Sequence, residues 1–142
     1  MLRAILVVMT LVGAQVGAGL DALDAEIAGL KRERAGANTF SDNERRAQID
    51  RQVEFLERVR DRVGRLMVLR VDACMSGAQA GGALPVEHAL ACAQAGQVSI
   101  AMVRRAEEIR DLLKRGNWGW HNRDRRAALQ KELEELDRKL GD

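Results

Sequence analysis

The sequence predicts an all-α protein: a helical hairpin with two flanking shorter helices forming a small four-helix bundle, coiled-coil-like, with a disulfide-tied tip. Three observations carry this expectation. Apolar residues recur at three- and four-residue spacing along most of the chain, while aromatics are limited to two tryptophans and two phenylalanines, with no tyrosine. That balance belongs to long amphipathic helices and not to sheets. Gly81-Gly82-Ala83-Leu84-Pro85 interrupts the pattern as a turn. Cys74 and Cys92 each lie nine residues from Ala83, so helices doubling back about that turn bring the two sulfurs level.

The N-terminus reads as an export signal. Arg3 precedes the apolar run Ala4 to Val12, and small residues follow from Gly13 to Gly19, the charged, apolar and cleavage-site order of a secretory segment. Val16-Gly17-Ala18 places small side chains where a signal peptidase reads. The expected division is a signal peptide over 1–18 and one all-helical domain over 19–142. The alternative is an uncleaved membrane anchor, because Ala4 to Leu20 approaches the shortest span of a bilayer. Against it, Gln15 and the glycines and alanines around it make a poor second half for such a span. About 124 residues then remain, enough for one modest core.

A first helix is expected from Leu20 to Arg34, since Leu20, Leu23, Ile27 and Leu30 form one stripe. Ala35 to Phe40 loses the period and reads as a connector. Ser41-Asp42-Asn43-Glu44 has the form of a capping box, from which a second helix runs to about Ala80. Its stripe is Ile49, Val53, Leu56, Val63 and Met67, widened by Val59 and Leu66. Glu54 with Arg58 and Asp61 with Arg65 are acid-before-base pairs four apart, the pattern of a solvated face.

Beyond Val71 the side chains shrink. Ala73, Gly77 and Ala80 before the turn, and Ala89, Ala93 and Gly96 after it, permit close helix approach but bury little apolar area. At roughly 25 cal/mol per Å² the hydrophobic contribution there is weak, so a disulfide would brace the place where packing is poorest. Pro85 suits the first turn of a third helix. That helix is expected to pass Leu90, Ile100, Val103, Ile109 and Leu112 and to stop at Gly116. Asn117 to His121 is a turn, and a fourth helix follows from Asn122 with Leu129, Leu133, Leu136 and Leu140 in heptad-like spacing. The two shorter helices would flank the lower halves of the central pair, leaving the stapled tip to project.

Three residues could carry chemistry at that tip. His88 and Cys92 lie four apart on one helix face, with Cys74 expected opposite. Two sulfurs and an imidazole suit a soft or borderline cation, but in an oxidising compartment the two thiols pair with each other, so the primary expectation is a Cys74–Cys92 disulfide and no metal or cofactor. The absence of a Cys-x-x-Cys motif argues against redox catalysis. Trp118, Trp120 and His121 cluster in the second turn as the candidate partner-binding residues, with packing at the end of the bundle as the plainer role for at least one tryptophan.

Function classes narrow accordingly. A net charge of +2 with alternating signs offers no basic stripe for a phosphate backbone, so no nucleic-acid partner is expected. No nucleophile elbow, zinc-protease motif or phosphate loop is present, and the expectation is a non-enzyme. The leading reading is an exported, periplasmic or secreted helical module that binds or scaffolds a protein partner, with homo-oligomerisation open through the fourth helix. The alternatives are an envelope protein anchored in the inner membrane and facing the periplasm, with the general layout of phage lysis proteins that span from inner to outer membrane; a small Cys/His metal-binding bundle; and an inhibitor or immunity protein.

Overall fold

Stripes of leucine, isoleucine and valine must be buried against something, and in this chain they are buried against each other. The computed structural model describes the backbone of residues 2–37, 40–78 and 85–141 and the side chains of 19–37, 41–77 and 86–141. Its helices are α1 (Leu2–Gly36), α2 (Asn43–Ala78), α3 (Pro85–Ala95), α4 (Ile100–Arg115) and α5 (Arg123–Leu140). Single 3-10 turns at Phe40–Asp42 and Trp120–Asn122 lead into α2 and α5. The described residues contain no strand. The turn Gly81 to Leu84 and the proposed end of the second helix at Ala80 lie outside the described residues. The contacts divide the chain into two compact units, residues 1–97 and 98–142.

In the first unit α1 and α2 pack along each other, and α3 packs on both. Leu23 and Ile27 of α1 are buried, as are Ile49, Leu56, Val59, Val63, Leu66 and Met67 of α2. All of these belong to the two sequence stripes, whose remaining members Leu20, Leu30 and Val53 are half-buried, and full burial of each large side chain is worth about 1.5–3 kcal/mol. Between the helices Arg34 Nε donates to Asp50 Oδ1 at 2.5 Å, Lys31 pairs with Glu57 at 3.3 Å, and Arg60 pairs with Asp24. Arg45 pairs with Glu33 as well. Higher residues of α1 meet lower residues of α2, so the two helices are antiparallel. The Asp50 carboxylate, through its hydrogen bond and its charge, holds the Arg34 guanidinium above its ordinary value, and Asp24 does the same for Arg60. Exposed pairs of this kind add little stability; their place along the seam fixes which rows of the helices face each other.

Three features differ from the sequence reading. First, α1 does not begin at Leu20: it runs unbroken from Leu2 to Gly36. Second, α2 starts at Asn43, with Ser41 inside the preceding 3-10 turn rather than at the helix cap. Third, the expected helix from Pro85 to Arg115 is two helices. It stops after Ala95, where the Gly96 amide donates to Cys92 O at 2.9 Å and the Gln97 amide to Gln94 O at 3.2 Å. Restart is at Ser99, whose Oγ accepts from the Met102 amide at 3.3 Å as the N-cap of α4. Arg70 holds the break from α2, donating to Gln97 O at 2.8 Å.

Gly96 is required at this break by close approach. A Cβ there would lie 2.5 Å from Val71 Cγ2 and 3.2 Å from Cys92 O. Valine is stiff about χ1, so the clash has no cheap escape.

In the second unit α4 buries Val103, Ala106 and Ile109, and α5 buries Leu129 and Leu140. Arg105 Nε donates to Glu132 Oε1 at 2.8 Å, and Arg110 donates to Glu107 at 2.7 Å and Asp137 at 2.9 Å. Two of the charged side chains, Arg62 of α2 and Glu107 of α4, are buried, yet no buried side-chain nitrogen or oxygen among the described residues lacks a partner. Gly141 ends α5 with a φ of 80°, its amide donating to Asp137 O and Arg138 O, a left-handed C-terminal stop that glycine adopts without strain.

Gly96→Ala is expected to lower unfolding stability by about 1–3 kcal/mol, the usual cost of overpacking. Combining it with Val71→Ala recovers part of that loss in a denaturant double-mutant cycle. The hydrogen bond from Arg105, then its charge, holds the Glu132 carboxyl below its ordinary value of 4.5. A folded-state value below the unfolded one stabilises the fold above the unfolded value and ceases to do so as pH falls through the folded one. The stability difference between wild type and Glu132→Gln should therefore be constant above pH 4.5 and shrink below it in acid titrations of unfolding.

Candidate functional site

The tip of the first unit is built from the last turns of α2 and the whole of α3. Cys74 and Cys92 are joined, with an S–S distance of 2.05 Å and Cα atoms 5.4 Å apart. The expected disulfide is present. Cys92 is 0% exposed, while Cys74 is half-buried. The bond closes 18 residues of separation, which by loop entropy is worth about 3 kcal/mol. The small residues that the sequence marked at this tip do not all face the contact. Cys92 and Ala93 of α3 and Gly96 just after it are buried, whereas Ala73 and Gly77 of α2 are exposed. Val71 and Cys74 supply the α2 side instead.

His88 lies one helical turn before Cys92 and is half-buried. Its Nε2 is 3.1 Å from Cys92 Sγ, 4.0 Å from Cys74 Sγ and 3.1 Å from the Cys74 carbonyl oxygen. A carbonyl only accepts, so in this state Nε2 carries the proton and donates it to Cys74 O. The imidazole thus ties α3 to the α2 backbone beside the sulfur pair. One ligand atom from each of Cys74, His88 and Cys92 falls within 4.8 Å of the others. The three residues picked from sequence spacing are together in space.

The second turn, in the second unit, separates the residues that the sequence grouped. Gly116 caps α4, its amide donating to Leu112 O at 2.7 Å. A Cβ at Gly116 would sit 2.6 Å from the Trp118 ring, so the chain needs glycine there for the indole to fold back. Trp118 is half-buried and its Nε1 donates to Leu113 O at 2.9 Å. Trp120 is 81% exposed, with its ring centroid 4.3 Å from that of His121. Asn122 braces the turn, its Nδ2 donating to Asn117 O at 3.0 Å and its amide to Gly119 O at 2.9 Å. Trp118 is therefore a packing residue, and Trp120 with His121 forms the projecting pair.

Sequence reasoning placed Leu90 in a core stripe, and it is 39% exposed; the stripe ran through the helix break and so lost its phase. It also passed over Val68 and Leu69 of α2, which are more than half exposed. The signal was available: Leu66 to Leu69 are four successive apolar residues, more than one helix face can bury.

No family model, curated protein or solved structure matches this chain.

The two tryptophans should respond differently to substitution. Trp118→Phe removes the hydrogen bond to Leu113 O and is expected to cost about 1 kcal/mol. Trp120→Ala should stay within about 0.5 kcal/mol of wild type in chemical denaturation.

Proposed function

We propose that this chain is an exported, non-catalytic helical module that binds or scaffolds a protein partner in the periplasm or outside the cell. The observation that carries the reading is Trp120, a large ring 81% exposed on a turn held by four hydrogen bonds. Exposed tryptophan on a rigid mount has little conformational entropy to lose on binding and is the residue type richest in interface hot spots. The compartment rests on the disulfide, a bond that persists in oxidising surroundings, and on the signal-like order of the N-terminal residues.

A second reading, the anchored envelope protein, is favoured by one observation. It requires a continuous helix leading from the N-terminus into the bundle, and α1 is such a helix. Among the described residues no helix is long and apolar enough to cross a membrane.

A photoreactive amino acid replacing Trp120, with one at exposed Arg51 as control, tests the binding reading in an export-competent bacterium. One protein adduct specific to position 120, abolished by His121→Ala in the same chain, is the expected result. Identical patterns at 120 and 51 would contradict it. Intact mass of the soluble and membrane fractions assigns the compartment: a soluble species shortened by about 18 residues fits export and cleavage, and a full-length membrane species fits the anchor.

A further inference from the structure

We infer that the stapled tip is also a redox-gated metal site, in which Cys74, His88 and Cys92 bind one thiophilic cation of the zinc or monovalent-copper class once the disulfide is reduced. The inference rests on the three-residue geometry alone and is independent of the partner-binding reading. With Zn–S near 2.3 Å and Zn–N near 2.0 Å, a tetrahedral site places its nitrogen about 3.5 Å from each sulfur. His88 Nε2 stands 3.1 and 4.0 Å from the two sulfurs, values that bracket that edge. The imidazole is therefore in position before any metal arrives, and breaking the S–S bond frees the two sulfurs to take up their own edge of the polyhedron. Two sulfurs and one imidazole are a soft donor set.

The chemistry balances as follows. A dithiol reductant supplies two electrons and two protons, the Cys74–Cys92 bond breaks, and the reductant leaves as its own disulfide. Each thiol then gives its proton to solvent and bonds the cation as thiolate. His88 releases its hydrogen bond to Cys74 O and presents the Nε2 lone pair, with the ring proton on Nδ1. Three protein ligands complete the coordination of monovalent copper, and with zinc they leave one position for water, reached from the half-buried side of Cys74 and His88. The oxidised tip cannot bind, because its sulfurs are spent on each other. The staple thus makes metal uptake conditional on reduction.

The test uses the full chain reduced with a trialkylphosphine, which takes oxygen from water to become the phosphine oxide and leaves both thiols free. Zinc is titrated against a chromophoric chelator, and cobalt is added separately to report sulfur coordination through its charge-transfer absorption. One zinc per reduced chain, none per oxidised chain, and a sulfur-to-cobalt band are expected. Cys92→Ser and His88→Ala should each weaken zinc binding by about 100-fold or more, above the loss that follows from removing an orienting partner alone. Far-ultraviolet circular dichroism runs alongside, since binding and folding of such sites are coupled. Failure of the reduced chain to bind zinc, folded or not, overturns the inference, and so does a His88→Ala chain that binds as tightly as wild type.

Discussion

The bond between Cys74 and Cys92 ties the end of α2 to α3 across a contact made largely by small side chains. Ala93 of α3 and Gly96 just beyond its end bring the backbones close, and close approach through small side chains removes little apolar area from water. The loop-entropy contribution of about 3 kcal/mol is comparable with one or two fully buried leucines. At this end of the chain it takes the part that leucine, isoleucine and valine play along the seam of α1 and α2. The same close approach makes Gly96 indispensable, because Val71 occupies the space its Cβ would need. Staple, small residues and helix break are one arrangement, in which the chain leaves α3 at the point where further helix would drive a side chain into α2.

His88 belongs to that arrangement twice. In the oxidised protein it is a structural donor to the Cys74 carbonyl, and its ring lies beside the sulfurs. Its nitrogen is nonetheless as near Cys92 Sγ, at 3.1 Å, as to that carbonyl, so the group that secures the closed tip is the one that would hold the open tip around a cation. In the second unit rigidity is used differently. Glycine at 116 lets Trp118 fold against the end of α4, and the fixed turn then carries Trp120 outward. One ring is spent on holding the mount, and the other is exposed beside His121.

Much of this was legible in the residues. The stripes of α1 and α2 predicted the buried set because a helix with one apolar face has only one way to lie on its neighbour. The equal spacing of the cysteines about Ala83 predicted their bond because an antiparallel hairpin makes sequence symmetry into spatial opposition. The break at Gly96 was harder to see, since Leu90 and Ile100 both fit a continuous helix pattern. What decides there is a clash with Val71, 25 residues away in sequence, and local spacing carries no record of it. The ties between α1 and α2 were hidden for a similar reason: Asp24, Glu33, Asp50 and Glu57 look like ordinary solvated charges until the register of the two helices is known. The separate fates of Trp118 and Trp120 depend on a single fold-back over Gly116, which a Gly/Trp-rich turn permits but does not announce.

The central claim is that α3, although it packs on α1 and α2, depends on the disulfide to stay in place. Amide hydrogen exchange resolved by segment, comparing oxidised protein with protein reduced by phosphine in the presence of a chelator, tests it most directly. The account predicts that protection across α3, Pro85–Ala95, collapses on reduction while that of Ile49 to Met67 in α2 is kept. Equal protection of α3 in the two states would show that apolar packing holds the tip and would contradict the account.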